Sequence, residues 1–173
     1  MQKFSFSYIS SFVRVSCIIL AVCFMTSHAF AAPSVVFEDE TGQQHSLKDY
    51  KGKTVIILAW ASWCPACARE VSALEVLYKE LLNNKTLEQN NLVILAISQD
   101  SSSDAVAAFR QRYEINNLPL FLDKSKNTAK SFGFSTIPYG IILYPSGTVM
   151  SKLSSGNEGK SLIESLLSTA LQQ

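Results

Sequence analysis

Charge of one sign is the first thing this sequence lacks: 15 Lys and Arg stand against 14 Asp and Glu, a formal net charge of +1. It has no polybasic block, no aromatic residues interleaved with basic ones and no long acidic tail, which argues against nucleic-acid or membrane-surface binding. Histidine is nearly absent, with two residues, and cysteine is scarce, with four. Cys17 and Cys23 fall in an N-terminal apolar stretch, so the rest of the chain keeps only Cys64, Cys67 and His45 as soft ligands. A structural zinc site needs four ligands, so these fall short of one and no metal is expected. A disulfide framework needs several bridges closing long loops, whereas Cys64 and Cys67 close a very short one. There is no internal repeat and no Pro/Gly-rich linker to divide the chain.

The N-terminal stretch reads as an export signal. Lys3 and Arg14 supply positive charge, Val15 to Met25 is an apolar core, and Ala29-Phe30-Ala31 has the small-x-small pattern of a cleavage site. Spanning a bilayer takes about 20 apolar residues, and this core is shorter and interrupted by Ser16, Thr26, Ser27 and His28. We therefore expect a signal at residues 1–31, an uncleaved anchor being the alternative, and one domain at residues 32–173. About 140 residues suffice to bury a substantial core.

The richest local feature is Trp63-Cys64-Pro65-Ala66-Cys67, which follows the apolar run Val55-Ile56-Ile57-Leu58-Ala59-Trp60 and opens a helical pattern. Two thiols three residues apart at a strand-to-helix junction are placed for electron exchange: one attacks a partner's sulfur and the other releases it.

Around this motif strands and helices alternate. Val35-Val36-Phe37 and the turn-rich Asp39-Glu40-Thr41-Gly42 predict a hairpin, and Thr54 to Trp60 a buried strand. Pro65 suits a first helical turn, and Val71, Leu74, Val76, Leu77, Leu81 and Leu82 recur at near-helical spacing up to a stop at Asn83-Asn84. Leu92 to Ile97 reads as a second buried strand, Ser101 to Asp104 as N-caps of a helix carrying Val106, Phe109 and Tyr113, and Leu118 to Leu122 as a short strand. Thr128 to Phe132 predicts a brief helix, Tyr139 to Tyr144 with Thr148 to Leu153 a hairpin, and Ser161 to Leu171 an amphipathic helix. This alternation predicts an α/β sandwich with a mixed sheet.

The string Val55 to Cys67, the Lys51-Gly52-Lys53 turn before it and the later Ile137-Pro138 pair resemble the thioredoxin superfamily, and more closely its exported TlpA/ResA-like branch. The likeness runs from about Val35 to Leu171 and includes the extra strand-helix segment, roughly Leu92 to Leu122, that sets this branch apart. The resemblance implies a three-layer thioredoxin-like sandwich with a central mixed sheet, an N-terminal hairpin and that insertion.

It also implies residue roles. Cys64 matches the exposed nucleophile, favoured as thiolate by a helix N-terminus. Lowering a free-thiol pKa of about 8.5 to about 7 corresponds to roughly 2 kcal/mol of preferential thiolate stabilisation. Cys67 matches the more buried resolving thiol. Pro138 matches the family's cis-proline, which turns the Ile137 backbone toward the dithiol to pair with an incoming chain. Glu70 completes a CxxCxxE pattern and is the candidate proton carrier for Cys67, the alternative being a solvated carboxylate favoured by the helix dipole. Trp63 and Pro65 belong to the expected contact surface, whereas Trp60 reads as core. Leu58 stands where thioredoxin has a buried aspartate, and Asp100 is a second acidic candidate whose strand-end position suits a cap equally well.

The implied activity is thiol-disulfide exchange, with the Cys64–Cys67 disulfide as redox centre and no cofactor. The TlpA/ResA-like branch favours a reductant of periplasmic client proteins, recharged by a membrane-bound thiol donor and touching the membrane itself only if the N-terminal segment is retained. An oxidase or isomerase running the cycle differently, and a metallochaperone or client-holding module on the same fold, are the alternatives.

Overall fold

The computed structural model describes residues 34–154 and 161–172. The expected export signal at residues 1–31 lies outside the described residues.

A tight hairpin opens the fold. Strands β1 (Val36–Glu38) and β2 (Gln44–Ser46) pair antiparallel. Asp39 ties the turn together by accepting the N–H groups of Thr41 and Gln43 and the Thr41 hydroxyl, while its other oxygen meets His45 Nε2 at 2.9 Å. The His45 contact, followed by the Thr41 hydroxyl, holds the Asp39 carboxyl well below the usual carboxylate range. Gly42 takes φ +85 in this turn, a backbone that L side chains rarely adopt. A 3₁₀ turn, Leu47–Tyr50, follows, its N-terminus closed by a capping box in which Asp49 accepts the Ser46 N–H and Ser46 Oγ accepts the Lys48 N–H.

Strand β3 (Thr54–Trp60) is buried along its whole length, as expected of a central strand made of aliphatic and β-branched residues. Helix α1 runs Pro65–Asn83, starting one residue after Cys64 and well before Val71, the first residue of the apolar recurrence. A short helix α2 (Thr86–Gln89) that periodicity does not reveal precedes β4 (Leu92–Ser98). Then come α3 (Ser103–Arg112), capped by Ser102, β5 (Leu120–Leu122), α4 (Asn127–Phe132), β6 (Tyr139–Leu143), β7 (Val149–Ser154) and α5 (Leu162–Leu171). Strand β5 is two residues shorter than the apolar run beginning at Leu118. Leu118 is buried ahead of the strand, and its N–H goes to Glu75 instead of to the sheet.

The strands form one seven-stranded mixed sheet in the order β2-β1-β5-β4-β3-β6-β7. Strands β3, β4 and β5 are parallel, and β6 returns antiparallel beside β3. Side chains alternate across the sheet, so Ile56, Leu58 and Trp60 pack in one core with Val71, Leu74, Phe109 and Leu166, while Val55 and Ile57 pack in the other with Phe37, Leu47 and Phe132. Helices α1, α3 and α5 thus supply one outer layer, and the 3₁₀ turn and α4 supply the other. This is the expected three-layer α/β architecture.

Two contacts explain how the layers are locked, and each yields a prediction. In β6, Gly140 sits under α5: a Cβ built there would lie 2.7 Å from both Cδ atoms of the fully buried Leu166. Gly140→Ala should therefore cost about 1–3 kcal/mol by overpacking, against the usual gain of removing a strand glycine, read as a lower urea midpoint. An unchanged or raised midpoint would show that Leu166 yields freely.

Glu75 on α1 accepts the N–H groups of Asn116, Asn117 and Leu118 and the Asn117 side-chain amide, pinning the loop before β5. Burial pushes its carboxyl up, but these hydrogen bonds outweigh burial and hold it below its ordinary value of 4.5. Because the folded value is the lower one, the stabilisation is complete above the ordinary glutamate range and is lost as pH falls through the depressed value. Glu75→Gln should lower the melting temperature at pH 7, with the gap to the parent protein closing on acidification; a gap independent of pH would contradict this linkage.

Candidate active site

The parallel strands end where the chemistry begins. Trp60 pairs with Ser98, so the ends of β3 and β4 are level, and the antiparallel pairing of Ala59 with Tyr139 brings the start of β6 to the same edge. Three loops therefore converge: Ala61 to Cys64 after β3, Gln99 to Ser102 after β4, and Ile137-Pro138 just before β6. Open α/β sheets present their ligand sites at this carboxyl edge of the parallel strands.

Cys64 is the N-cap of α1, with extended φ and ψ of −97° and 109°, and Pro65 occupies the first helical turn. The N–H of Cys67 donates to Cys64 Sγ at 3.1 Å. That donor, with the positive end of the helix dipole, favours negative charge on this sulfur once the pair is reduced. Cys64 and Cys67 are joined in a disulfide, their Cα atoms 5.2 Å apart. Cys67 is fully buried and Cys64 is 7% exposed. Cys64, the expected nucleophile, is thus the more accessible of the two, but it is not the openly exposed sulfur that the resemblance implies. Its Sγ is tucked between the Cys67 N–H and the carbonyl oxygen of Ile137, 3.8 Å away. The Ile137–Pro138 peptide bond is cis.

The other candidates separate. Trp63 is 70% exposed beside Cys64, a large apolar side chain offered to solvent. Pro65 is exposed and Ile137 half-buried along the same rim. Trp60 is fully buried and packs on Phe109, with ring centroids 4.4 Å apart, so it belongs to the core. The carboxylate of Glu70 faces the start of α5, accepting the N–H groups of Leu162 at 3.4 Å and Ile163 at 3.3 Å. It caps a second helix there, a partner neither of the sequence alternatives contains. Leu58 is fully buried and apolar, so the position expected to match thioredoxin's aspartate carries no ionisable group here.

Asp100 holds the redox loop. It is 5% exposed and accepts the Ser62 N–H at 2.9 Å, the Ser62 hydroxyl at 3.0 Å and the Ser98 hydroxyl at 2.6 Å. Cys64 N–H in turn closes the loop on Ala61 O at 3.2 Å. Ser62 and Gln99, both absent from the sequence candidates, belong to this site. The only sequence signal for Ser62 is its place two residues before Cys64. Among the described residues no group of three or more His, Cys, Asp or Glu is placed to hold a metal ion.

Residues 29–152 match the AhpC/TSA family. The chain belongs to that family. This chain is 30% identical over 132 residues to the thiol-disulfide oxidoreductase ResA of Bacillus subtilis, covering 76% of this chain and 69% of the relative. The ResA of Bacillus thuringiensis subsp. konkukian is 28% identical over 136 residues, covering 79% and 74%. Among solved structures, a thiol-disulfide oxidoreductase from Bacteroides fragilis superposes with a TM-score of 0.63 at 24% identity, over 80% of this chain and 98% of that one. This AhpC/TSA-family chain is a thiol-disulfide oxidoreductase with a thioredoxin-like fold, and its redox centre is the Cys64–Cys67 pair.

Proposed function

We propose that this protein is exported through the segment at residues 1–31, which is removed or kept as an anchor, and that its domain at residues 32–173 reduces disulfides in periplasmic client proteins. The observation that carries the reading is the Cys64–Cys67 disulfide at the N-terminus of α1, with Cys64 Sγ facing Ile137 O.

In the reduced protein, the Cys64 thiolate attacks one sulfur of a client disulfide. A Cys64–client bond forms, the client S–S bond breaks, and one client thiolate leaves. Cys67, as thiolate, then attacks Cys64 Sγ, forming the internal disulfide and expelling the second client thiolate. The client gains two electrons and two protons, and the protein loses the same two electrons and, when the Cys64 and Cys67 thiols ionise, the same number of protons through solvent. A thiol donor, most simply a membrane protein, must restore the dithiol in an oxidising compartment.

Trp63, Pro65 and Ile137 form the surface on which an extended client segment would lie, with the Ile137 main chain as its hydrogen-bonding edge and Pro138, itself buried, next to it in the chain. Glu70 is three residues beyond Cys67 and hence on the same helix face. We assign it a proton-carrying role for Cys67 in addition to its cap on α5. Glu70→Gln should then shift the pH profile of the resolving step, while loss of the cap alone would lower stability without moving that profile.

The direction of electron flow is tested by equilibrating the protein with defined thiol-disulfide buffers. A reduction potential near or below about −220 mV fits a reductant, and one near −120 mV would overturn it in favour of an oxidase.

A further inference from the structure

Beside the redox centre the surface carries one unmatched charge. Trp63, Lys126, Ala129, Phe134, Ser135 and Ile137 line a cavity of about 270 Å³. Trp63 immediately precedes Cys64, and the Ile137 carbonyl oxygen lies 3.8 Å from Cys64 Sγ, so this cavity adjoins the reacting sulfur. Lys126 is the only ionisable residue in its lining. That residue is exposed, and its ammonium takes no part in the ion pairs among the described residues. Its backbone is fixed: with a φ of 55° it is the N-cap of α4, and its N–H donates to Asp123 O at 3.0 Å. The buried carboxylates at this edge of the sheet are engaged elsewhere, Asp123 with the N–H and hydroxyl of Thr128 and Asp100 with Ser62 and Ser98. A second cavity, under the first hairpin, has the opposite character: its Glu38, Asp39 and Glu40 are already paired with Lys124, His45 and Arg110.

We propose that the cavity beside Cys64 receives a client side chain two residues from the disulfide cysteine and favours a carboxylate there, with Lys126 as the residue that selects it. The inference rests on the reading of Cys64 as the thiolate that attacks the client. In an extended client segment successive side chains point to opposite faces. When the client cysteine faces Cys64, the residues two positions away therefore face the same surface, about 7 Å along the chain. A glutamate there lays its stem against the aromatic walls and brings its charge to the Lys126 ammonium. A lysine would stack on the same rings, but the ammonium beside them repels it. Glutamine has the shape of glutamate without the charge, so charge alone separates those two. The pair is exposed, which keeps the effect moderate and makes it sensitive to salt.

The test uses the reduced full chain and synthetic peptides carrying one cysteine in a mixed disulfide with 2-mercaptoethanol, with Glu, Gln or Lys two residues before or two residues after it. Each rate is divided by that of the same peptide with dithiothreitol, which removes the intrinsic effect of the flanking charge. Bis(2-hydroxyethyl) disulfide serves as a substrate without flanking residues. On one side of the cysteine the parent protein should reduce the Glu peptide about threefold faster than the Gln peptide and the Lys peptide more slowly than both, the differences shrinking at about 1 M salt. Lys126→Asn should bring the Glu-to-Gln ratio to about one and Lys126→Asp should reverse the order, Asn and Asp being residues that adopt the positive φ of this position. Ratios within each protein cancel any general loss of activity. Reduction of the small disulfide with equal Glu and Gln rates in the parent protein would overturn the assignment and needs no variant to fold. A Glu preference that survives in Lys126→Asn would overturn it as well. Failure to reduce any disulfide would instead overturn the proposed reductase function.

Discussion

Cys67→Ser is expected to convert the protein from a turnover catalyst into a covalent trap. Cys64 keeps its place at the N-terminus of α1 and the Cys67 main-chain N–H that supports its thiolate, since the substitution leaves the backbone donor intact. The first exchange therefore proceeds. The second does not, because a serine hydroxyl at neutral pH is a far weaker nucleophile toward sulfur than a thiolate. A reduced Cys67→Ser protein mixed with a disulfide-bonded test protein should give a band at the summed mass on a non-reducing gel, and dithiothreitol should dissolve it. Turnover should fall by at least about a thousandfold. Cys64→Ser should lose turnover to a similar extent and form no adduct, because Cys67 is fully buried. Adduct formation through Cys67 in that variant would exchange the two roles. Stoichiometric metal binding by the intact pair, with no adduct in either variant, would favour a metal-delivery module over an enzyme.

Asp100→Ala should be the most damaging single change outside the dithiol. It removes the acceptor of the Ser62 N–H, the Ser62 hydroxyl and the Ser98 hydroxyl at a site that is almost fully buried. An unpaired buried donor costs about 1–3 kcal/mol, and water entering the new space offsets part of that, so a loss of about 3–5 kcal/mol is expected. Domains of this kind are stable by roughly 5–15 kcal/mol, so such a loss is a large fraction of the whole. Urea denaturation of the oxidised protein measures it directly. A loss under about 1 kcal/mol would mean that Asp100 does not hold the loop. Ser62→Ala should cost less, about 1 kcal/mol, because the main-chain N–H bond to Asp100 survives. The two variants together should cost less than their sum, since they share a contact.

Much of the framework was legible because it is written in local spacing. The buried run Thr54 to Trp60, the near-helical recurrence from Val71 to Leu82 and the Gly42 turn each depend on neighbours a few residues away. Pro65 marked the first turn of α1 even though apolar periodicity begins later, because a proline at that position gives up no needed N–H. The short helix α2 was not legible: it has four residues, fewer than are needed to show a helical period, and none of them is buried. Exposure of Cys64 was read from family resemblance and came out lower, because its sulfur is enclosed by a contact with Ile137, 73 residues away. Glu70 could be read only on its own helix, whereas its carboxylate meets α5, more than 90 residues later in the chain.

By itself, then, the sequence determined the dithiol, its position at a strand-to-helix junction, the order of strands and helices and the absence of a charge pattern suited to nucleic acid. Those properties follow from residue type and from periods of two and 3.6, which act over a few residues. Only the tertiary structure decided that Asp100 clamps Ser62 and that Gly140 admits Leu166. Each depends on which strands lie side by side and in what register. Ser62 and Asp100 meet across 38 residues because each lies two positions past the Trp60–Ser98 pair, where two parallel strands end level. Such pairing is set by the packing of the whole sheet, and no local pattern carries it.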